Sequence, residues 1–262
     1  MSLQHFYLES QVLAEEADEV FALMLSPDDE KHARVLRMGP GEHIAVVDAA
    51  LDYFECEIES HGPEGMRVRI ASHLGAPARR PRVTLLQGLA KGDKMDEVIR
   101  HATELGVSSF VPLECSRSVM RIDPRKAPKK LERWRAVAKS AAMQSGQLAI
   151  PEVHEPQKPS AAAARLRDYT AVCVCWEEAP QSQKLSDAIA AGLSAQEIGP
   201  EDARIAVVVG PEGGLTEEEV ASFLGSCPNA ALVSLGPSIL RTETAGVVAP
   251  ALALYELGQL GG

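Results

Sequence analysis

Two glycine-rich segments carry the residues best suited to chemistry. They are Gly210-Pro211-Glu212-Gly213-Gly214 and Leu235-Gly236-Pro237-Ser238-Ile239-Leu240-Arg241-Thr242-Glu243-Thr244. Glycine has no Cβ, so a backbone built from it comes close to a ligand and offers its N–H and C=O groups as contacts. The spacing is not that of a phosphate cradle. The chain has no G-x-x-x-x-G-K-[ST], and no G-x-G-x-x-G follows a strand. Either segment alone reads as punctuation between a strand and a helix. Both together, each ending a buried apolar run, read as two walls of a ligand site.

The elements that must hold these loops are legible around them. Residues 205–209 are a short, purely apolar, mostly β-branched run, as expected for a strand covered on both faces. Thr216 has Glu219 three residues on, a capping-box spacing that starts a helix. The plan then repeats: residues 231–235 form a strand, Gly236-Pro237 breaks it, and Thr242 caps a last helix. Two loops at the carboxyl ends of neighbouring parallel strands would form a ligand crevice.

These two segments resemble the signatures of the SPOUT methyltransferases. The closer likeness is to the RsmE group, which methylates N3 of a uridine in small-subunit ribosomal RNA. Gln87-Gly-Leu-Ala-Lys-Gly-Asp-Lys-Met95 and Ala102-Thr-Glu-Leu-Gly-Val107 match that group as well, and the likeness covers nearly the whole chain. The resemblance implies an α/β fold with a trefoil knot in the carboxyl-terminal half. It also implies S-adenosylmethionine held in the knot loops, a ribosomal RNA substrate and a homodimer.

Residue roles follow from the same resemblance. Cofactor contacts would come from Trp176, Gly210, Pro211, Glu212, Gly213, Gly214, Leu235, Gly236, Ile239, Leu240 and Thr244, mostly through backbone, with Ile239 and Leu240 around the adenine. Methylation of uridine N3 needs that nitrogen to lose its proton, which puts negative charge on the pyrimidine oxygens. Arg241 is the expected stabilising cation. Glu243 is either a base, an orienter of Arg241, or half of a structural pair with it, and Glu212 orients a loop. One segment departs from the group: Ser140 and Met143 stand where glutamates are common, and Gln147 where an arginine is.

Composition sets bounds. Apolar residues make up 45% and charged residues 24% of 262, the balance of a soluble globular protein. No run of eighteen apolar residues occurs, and the amino terminus shows no signal-peptide pattern, so the expectation is a cytoplasmic protein. The five cysteines read as reduced thiols; Cys173 and Cys175 alternate in a strand and lack zinc spacing, so no metal is expected. Net charge is −11, awkward for an RNA-binding protein. Residues 121–139 nevertheless carry eight basic and two acidic side chains, a local +6 that leaves −17 elsewhere. This run is a solvated helix face or a phosphate-contacting patch, and the resemblance favours RNA contact by Arg121, Arg125, Lys129 and Lys130.

Residues 1–73 read as a small β-rich domain. Residues 52–59 alternate, with Phe54, Cys56 and Ile58 on one face and Glu55, Glu57 and Glu59 on the other, and Gly62-Pro-Glu-Gly65 turns them into a hairpin. Arg34 and Arg37, three apart, are read as sharing a helix face. In the RsmE group this region is a PUA-like RNA-binding domain, which makes Arg34 and Arg37 RNA contacts. Residues 74–81 form a Pro, Gly and Ala linker. Residues 82–262 then alternate strand and helix, which predicts a parallel sheet. Asp93 opens a helix that Gly106 closes, residues 131–144 form another, and 156–200 read as irregular apart from a strand at 169–176. The last helix, 244–257, is apolar nearly all round and reads as buried, with its far side against a second subunit. The rival activities are ribose 2′-O-methylation, a non-catalytic RNA-binding assembly role, and nucleotide-dependent oxidoreduction, which the absent fingerprint disfavours.

Overall fold

The computed structural model describes residues 3–76, 79–179 and 184–261. The chain divides into two compact units, Met1–Ala78 with Ala142–Ala149, and Arg79–Ala141 with Ile150–Gly262. Two residues of the expected linker, 77 and 78, lie outside the described residues, and the strand Gly65–Gly75 runs into it.

The first unit is built on a five-stranded sheet in the order β1-β3-β4-β5-β2 (Gln4–Tyr7, His43–Val47, Tyr53–Gly62, Gly65–Gly75, Phe21–Ala22). β1 pairs parallel to β3 and the other neighbours pair antiparallel. The period-two pattern of β4 does its expected work. Phe54, Cys56 and Ile58 are buried among Phe6, Ile44, Met66 and Val68, while Glu57 and Glu59 face out and pair with Arg69 of β5 at 2.6 and 2.8 Å. Helix α1 (Pro27–Val35) starts on the Ser26 cap and carries Arg34. The sequence placed Arg37 on the same helix face, and this is corrected. The helix ends before it, and Arg37 takes a left-handed φ of 56°, so its side chain leaves in another direction.

The second unit is a six-stranded, wholly parallel sheet in the order β11-β9-β10-β6-β7-β8 (Ala230–Val233, Ala171–Cys175, Arg204–Val209, Arg82–Gly88, Ser109–Leu113, Glu152–Val153). Both faces of the central strands are covered. Ile205, Val207 and Val209 of β10 point to one core with Val98 of α2 (Lys94–Leu105), Ile189 of α5 (Leu185–Gln196) and Ala249 of α7 (Thr242–Glu256). Ala206 and Val208 point to the other, with Ala162 of α4 (Pro159–Ala163) and Phe223 of α6 (Glu217–Leu224). This double burial is why the strand sequences read as continuous apolar runs.

The capping box at Thr216 and Glu219 forms as spaced, and Gly106 closes α2 with a φ of 106°. Helix α3 (Ala127–Ser145) buries Leu131, Trp134, Ala138 and Ala141. Three readings are corrected. The stretch 156–200 holds helices α4 and α5, because alanine favours helix wherever packing permits. The strands ending in the two glycine loops are not neighbours, since β9 lies between β10 and β11. Helix α7 is not buried all round: Ala245, Ala249, Ala253 and Leu254 face the core, but Leu252 and Tyr255 are exposed.

Candidate active site

A cleft of about 590 Å³ opens at the carboxyl ends of β9, β10 and β11. Three loops line it: Cys175, Trp176 and Glu177 after β9; Gly210, Pro211, Glu212 and Gly214 after β10; and Ser234 to Arg241 after β11. Lys94 and Thr242 complete the wall. Thus Trp176, Leu235, Gly236, Ile239 and Leu240 come together with the first glycine loop. Two expected contacts do not. Gly213 is turned toward Arg117, whose Cβ and carbonyl oxygen stand 2.9 Å from where a Gly213 Cβ would lie. Thr244, in the first turn of α7, is exposed and does not line the cleft.

Close approach explains the glycines. A Cβ on Gly88, at the end of β6, would overlap the Pro211 nitrogen, so only glycine lets the strand pass the first loop. Gly236 holds a φ of 115°, which turns the chain out of β11 and which a side chain would strain. Thr242 was expected to cap α7; instead Arg241 is the cap residue and Thr242 is the first helical residue. Its hydroxyl is used elsewhere. It donates to the Gly210 carbonyl at 2.6 Å and accepts from Gln87 Nε2 at 2.8 Å, joining both loops and the end of β6.

The charged groups form a connected set. Lys94 Nζ lies 3.0 Å from Glu243 Oε2 and 3.3 Å from Glu212 Oε1. Glu212 Oε1 also accepts from the Lys91 N–H at 3.0 Å. Burial works to raise the Glu212 carboxyl, but the Lys91 and Glu212 N–H groups and Lys94 outweigh it and hold it below the usual range. Glu243 behaves alike: burial opposes, and its own N–H, Lys94 and Arg241 pull its pKa down. The Glu243 contact raises Lys94, against a smaller desolvation effect. Glu212 and Glu243 are thus both ion-pair partners of Lys94, and Glu212 also joins its loop to the Lys91 N–H. No hydrogen bond or ion pair among the described residues holds the exposed Arg241 guanidinium, so it is free to meet a ligand at the rim.

Lys94 is the residue that sequence reasoning missed. It sits in the Gln87 to Met95 motif, 118 positions before Glu212, and nothing local says that two carboxylates will reach it. The basic run is partly consumed by structure. Arg133 pairs with Asp96 and Asp93, Arg135 donates to the Val153 carbonyl at 3.2 Å, and Lys130 Nζ lies over the Trp134 ring at 5.6 Å. Arg121, Arg125 and Lys129 remain exposed, as does Arg34 on α1 despite its 3.3 Å contact with Glu30. Of the departing positions, Met143 is buried in the core of the first unit, where a glutamate would be costly. Cys175, half-buried at the cleft, is a thiol whose pKa burial raises, so it stays protonated. Among the described residues, no group of three His, Cys, Asp or Glu side chains is disposed to hold a metal, and no helix is long and apolar enough to cross a membrane.

Comparison with known proteins agrees with this geometry. The profile of the RNA methyltransferase domain matches residues 78–254. The ribosomal RNA small subunit methyltransferase E of Bacillus subtilis is 32% identical over 99% of both chains. The chain belongs to the ribosomal RNA small subunit methyltransferase E family. The family member from Mycobacterium bovis is 35% identical over 83% of this chain and 79% of its own. Among solved structures, the family member from Neisseria gonorrhoeae, described as bound to S-adenosyl methionine, superposes with a TM-score of 0.77 at 26% identity, over 97% of this chain and 98% of that one.

Proposed function

We propose that this chain is a cytoplasmic S-adenosylmethionine-dependent methyltransferase acting on N3 of a uridine in small-subunit ribosomal RNA. The observation that carries the reading is the convergence of three loops on one cleft in a chain of this family. The lining suits the cofactor. Ile239 is 88% exposed and, with Leu235 and Leu240, offers apolar surface that a purine would cover. The backbones of Gly210, Pro211, Glu212, Gly214 and Gly236, with Trp176, supply polar contacts at short range. When bound, S-adenosylmethionine brings an already electrophilic methyl group. The chain's own residues then have to position the base and stabilise its charge. Arg241, exposed at the rim, meets the pyrimidine oxygens as N3 loses its proton. Glu243 holds Lys94 in place, and Lys94 holds Glu212 and its loop.

Residues 1–73 act in this reading as a PUA-like domain and 82–262 as the knotted catalytic domain, joined by 74–81. The strand order, with β9 between β10 and β11, is compatible with a trefoil knot through the two glycine loops. Arg34, Arg37, Arg121, Arg125, Lys129 and Lys130 contact RNA phosphates. The exposed Leu252 and Tyr255 of α7 favour a homodimer through that side. The test is nucleoside mass spectrometry of small-subunit RNA from a deletion strain, with the purified protein added back. Loss and restoration of 3-methyluridine is expected. Loss of a 2′-O-methyl nucleoside instead, or no change in any nucleoside, would overturn the assignment.

A further inference from the structure

A second cavity, of about 240 Å³, lies at the opposite end of the parallel sheet, where β6, β7, β8 and β10 begin. Strand register explains its make-up. Arg82 and Arg204 are direct neighbours on β6 and β10; two residues on, Thr84 aligns with Ser109, and Ser109 with Glu152. Side chains two apart share a face, so this face changes from apolar inside, at Leu86 and Val111, to polar at its start. Arg165, beyond α4, closes the rim.

The charges in it are not balanced. Neighbouring strands stand about 4.8 Å apart, so Arg82 and Arg204 place like charges side by side, which costs stability. No hydrogen bond or ion pair among the described residues engages the side chain of Arg82 or Arg165. Arg204 stacks its guanidinium on the Tyr169 ring at 4.8 Å, which leaves its N–H edge for other use. The one carboxylate in the lining, Glu152, is taken up by His154 Nδ1 at 3.2 Å, and His154 Nε2 meets Ser109 Oγ at 3.0 Å. The buried Thr84 hydroxyl and the Tyr169 hydroxyl are 3.1 Å apart; one proton serves that bond and the other is left for a ligand.

We propose that this cavity is a phosphate-binding site, separate from the methyl-transfer cleft. Three guanidinium groups at the rim and a hydroxyl donor inside match a phosphoryl group, which guanidinium binds through paired N–H bonds. Its volume is below that of pockets that enclose drug-sized ligands, so it takes the phosphate and little more. The phosphate comes either from a small ester or from an RNA backbone.

The test is titration of the full-length protein with inorganic phosphate and, separately, with a short single-stranded oligoribonucleotide. The variants are Arg82→Gln with Arg204→Gln, and Arg165→Gln, whose exposed position keeps folding intact if the first pair fails to fold. Thermal melting and S-adenosylmethionine affinity serve as controls, and both are expected unchanged in Arg165→Gln. Phosphate affinity is expected to fall by about 10-fold or more in either variant. A parallel fall in oligoribonucleotide affinity, with its salt slope reduced by about 0.7 per lost contact, assigns the site to RNA backbone. An unchanged oligoribonucleotide affinity assigns it to a small phosphate ester. Absence of phosphate binding by the parent protein, or binding that Arg165→Gln and the double variant leave intact, overturns the proposal.

Discussion

The Thr242 hydroxyl donates to the Gly210 carbonyl at 2.6 Å, and this one bond ties together loops 32 residues apart in sequence. Gln87 Nε2 donates to the same oxygen, so a single side chain fastens both glycine loops to the end of β6. Replacing Thr242 with valine keeps the shape and removes the oxygen. The half-buried Gly210 carbonyl and the buried Gln87 amide then lose a partner, at a cost of about 1–3 kcal/mol. The expected outcome is a melting temperature lower by roughly 2–10 °C and S-adenosylmethionine affinity weaker by about 10-fold, read by calorimetry. An unaltered affinity would mean that the loops hold their shape without this bond.

Arg241 tests the chemistry. Its guanidinium lines the cleft and no ion pair among the described residues holds it, so its removal leaves no buried charge unpaired. Arg241→Ala is expected to lower kcat by about 10²–10³-fold, the usual loss for one transition-state donor, with cofactor affinity nearly unchanged. Single-turnover methylation of RNA measures it, and a near-normal rate would remove Arg241 from the role proposed.

Lys94 governs acid behaviour. Glu212 and Glu243 have folded pKa values below their ordinary ones, so their contribution to stability is complete above the unfolded carboxylate range, about pH 4.3. It is lost as pH falls through the lower folded values. Lys94→Met removes the cation that both share, so the two carboxylates face one another unneutralised. Melting temperature followed from neutral pH downward should then fall less steeply for the variant, because less stability remains to be lost. Identical slopes would show that the backbone N–H groups, with Arg241 beside Glu243, depress the two carboxyls without Lys94.

Gly88→Ala probes close approach. The added methyl would overlap the Pro211 backbone, which cannot rotate away as a side chain tip can. Overpacking of this kind costs about 1–3 kcal/mol. We expect a lower melting temperature and a cleft that binds S-adenosylmethionine weakly. Gly39→Ala, where the nearest atom is 4.0 Å away, is the control that should melt as the parent does.

Much of this architecture was readable along the chain because its causes are local. Alternation in residues 53–59 and the unbroken apolar run at 205–209 depend only on which faces are buried, and the Thr216 to Glu219 capping box on a three-residue spacing. The glycine loops stood out because few residue types tolerate such geometry. Arg37 was misread because a three-residue spacing implies a shared face only if the helix reaches that far, and α1 stops at Val35. Thr242 was misread because a hydroxyl near a helix start is normally a cap, whereas here a carbonyl from another loop competes for it.

What the sequence determined by itself was therefore most of the strands and helices, the two glycine-rich loops and the family they belong to, but not helices α4 and α5. Tertiary structure decided the rest. It set β9 between the two loop-bearing strands, brought Lys94 to Glu212 and Glu243, and placed the exposed Arg241 at the rim of the cleft. It also put Arg82 beside Arg204 at the far end of the sheet. Strand order and cross-strand register depend on how the whole chain packs, and residues more than a hundred positions apart leave no periodic trace of their meeting.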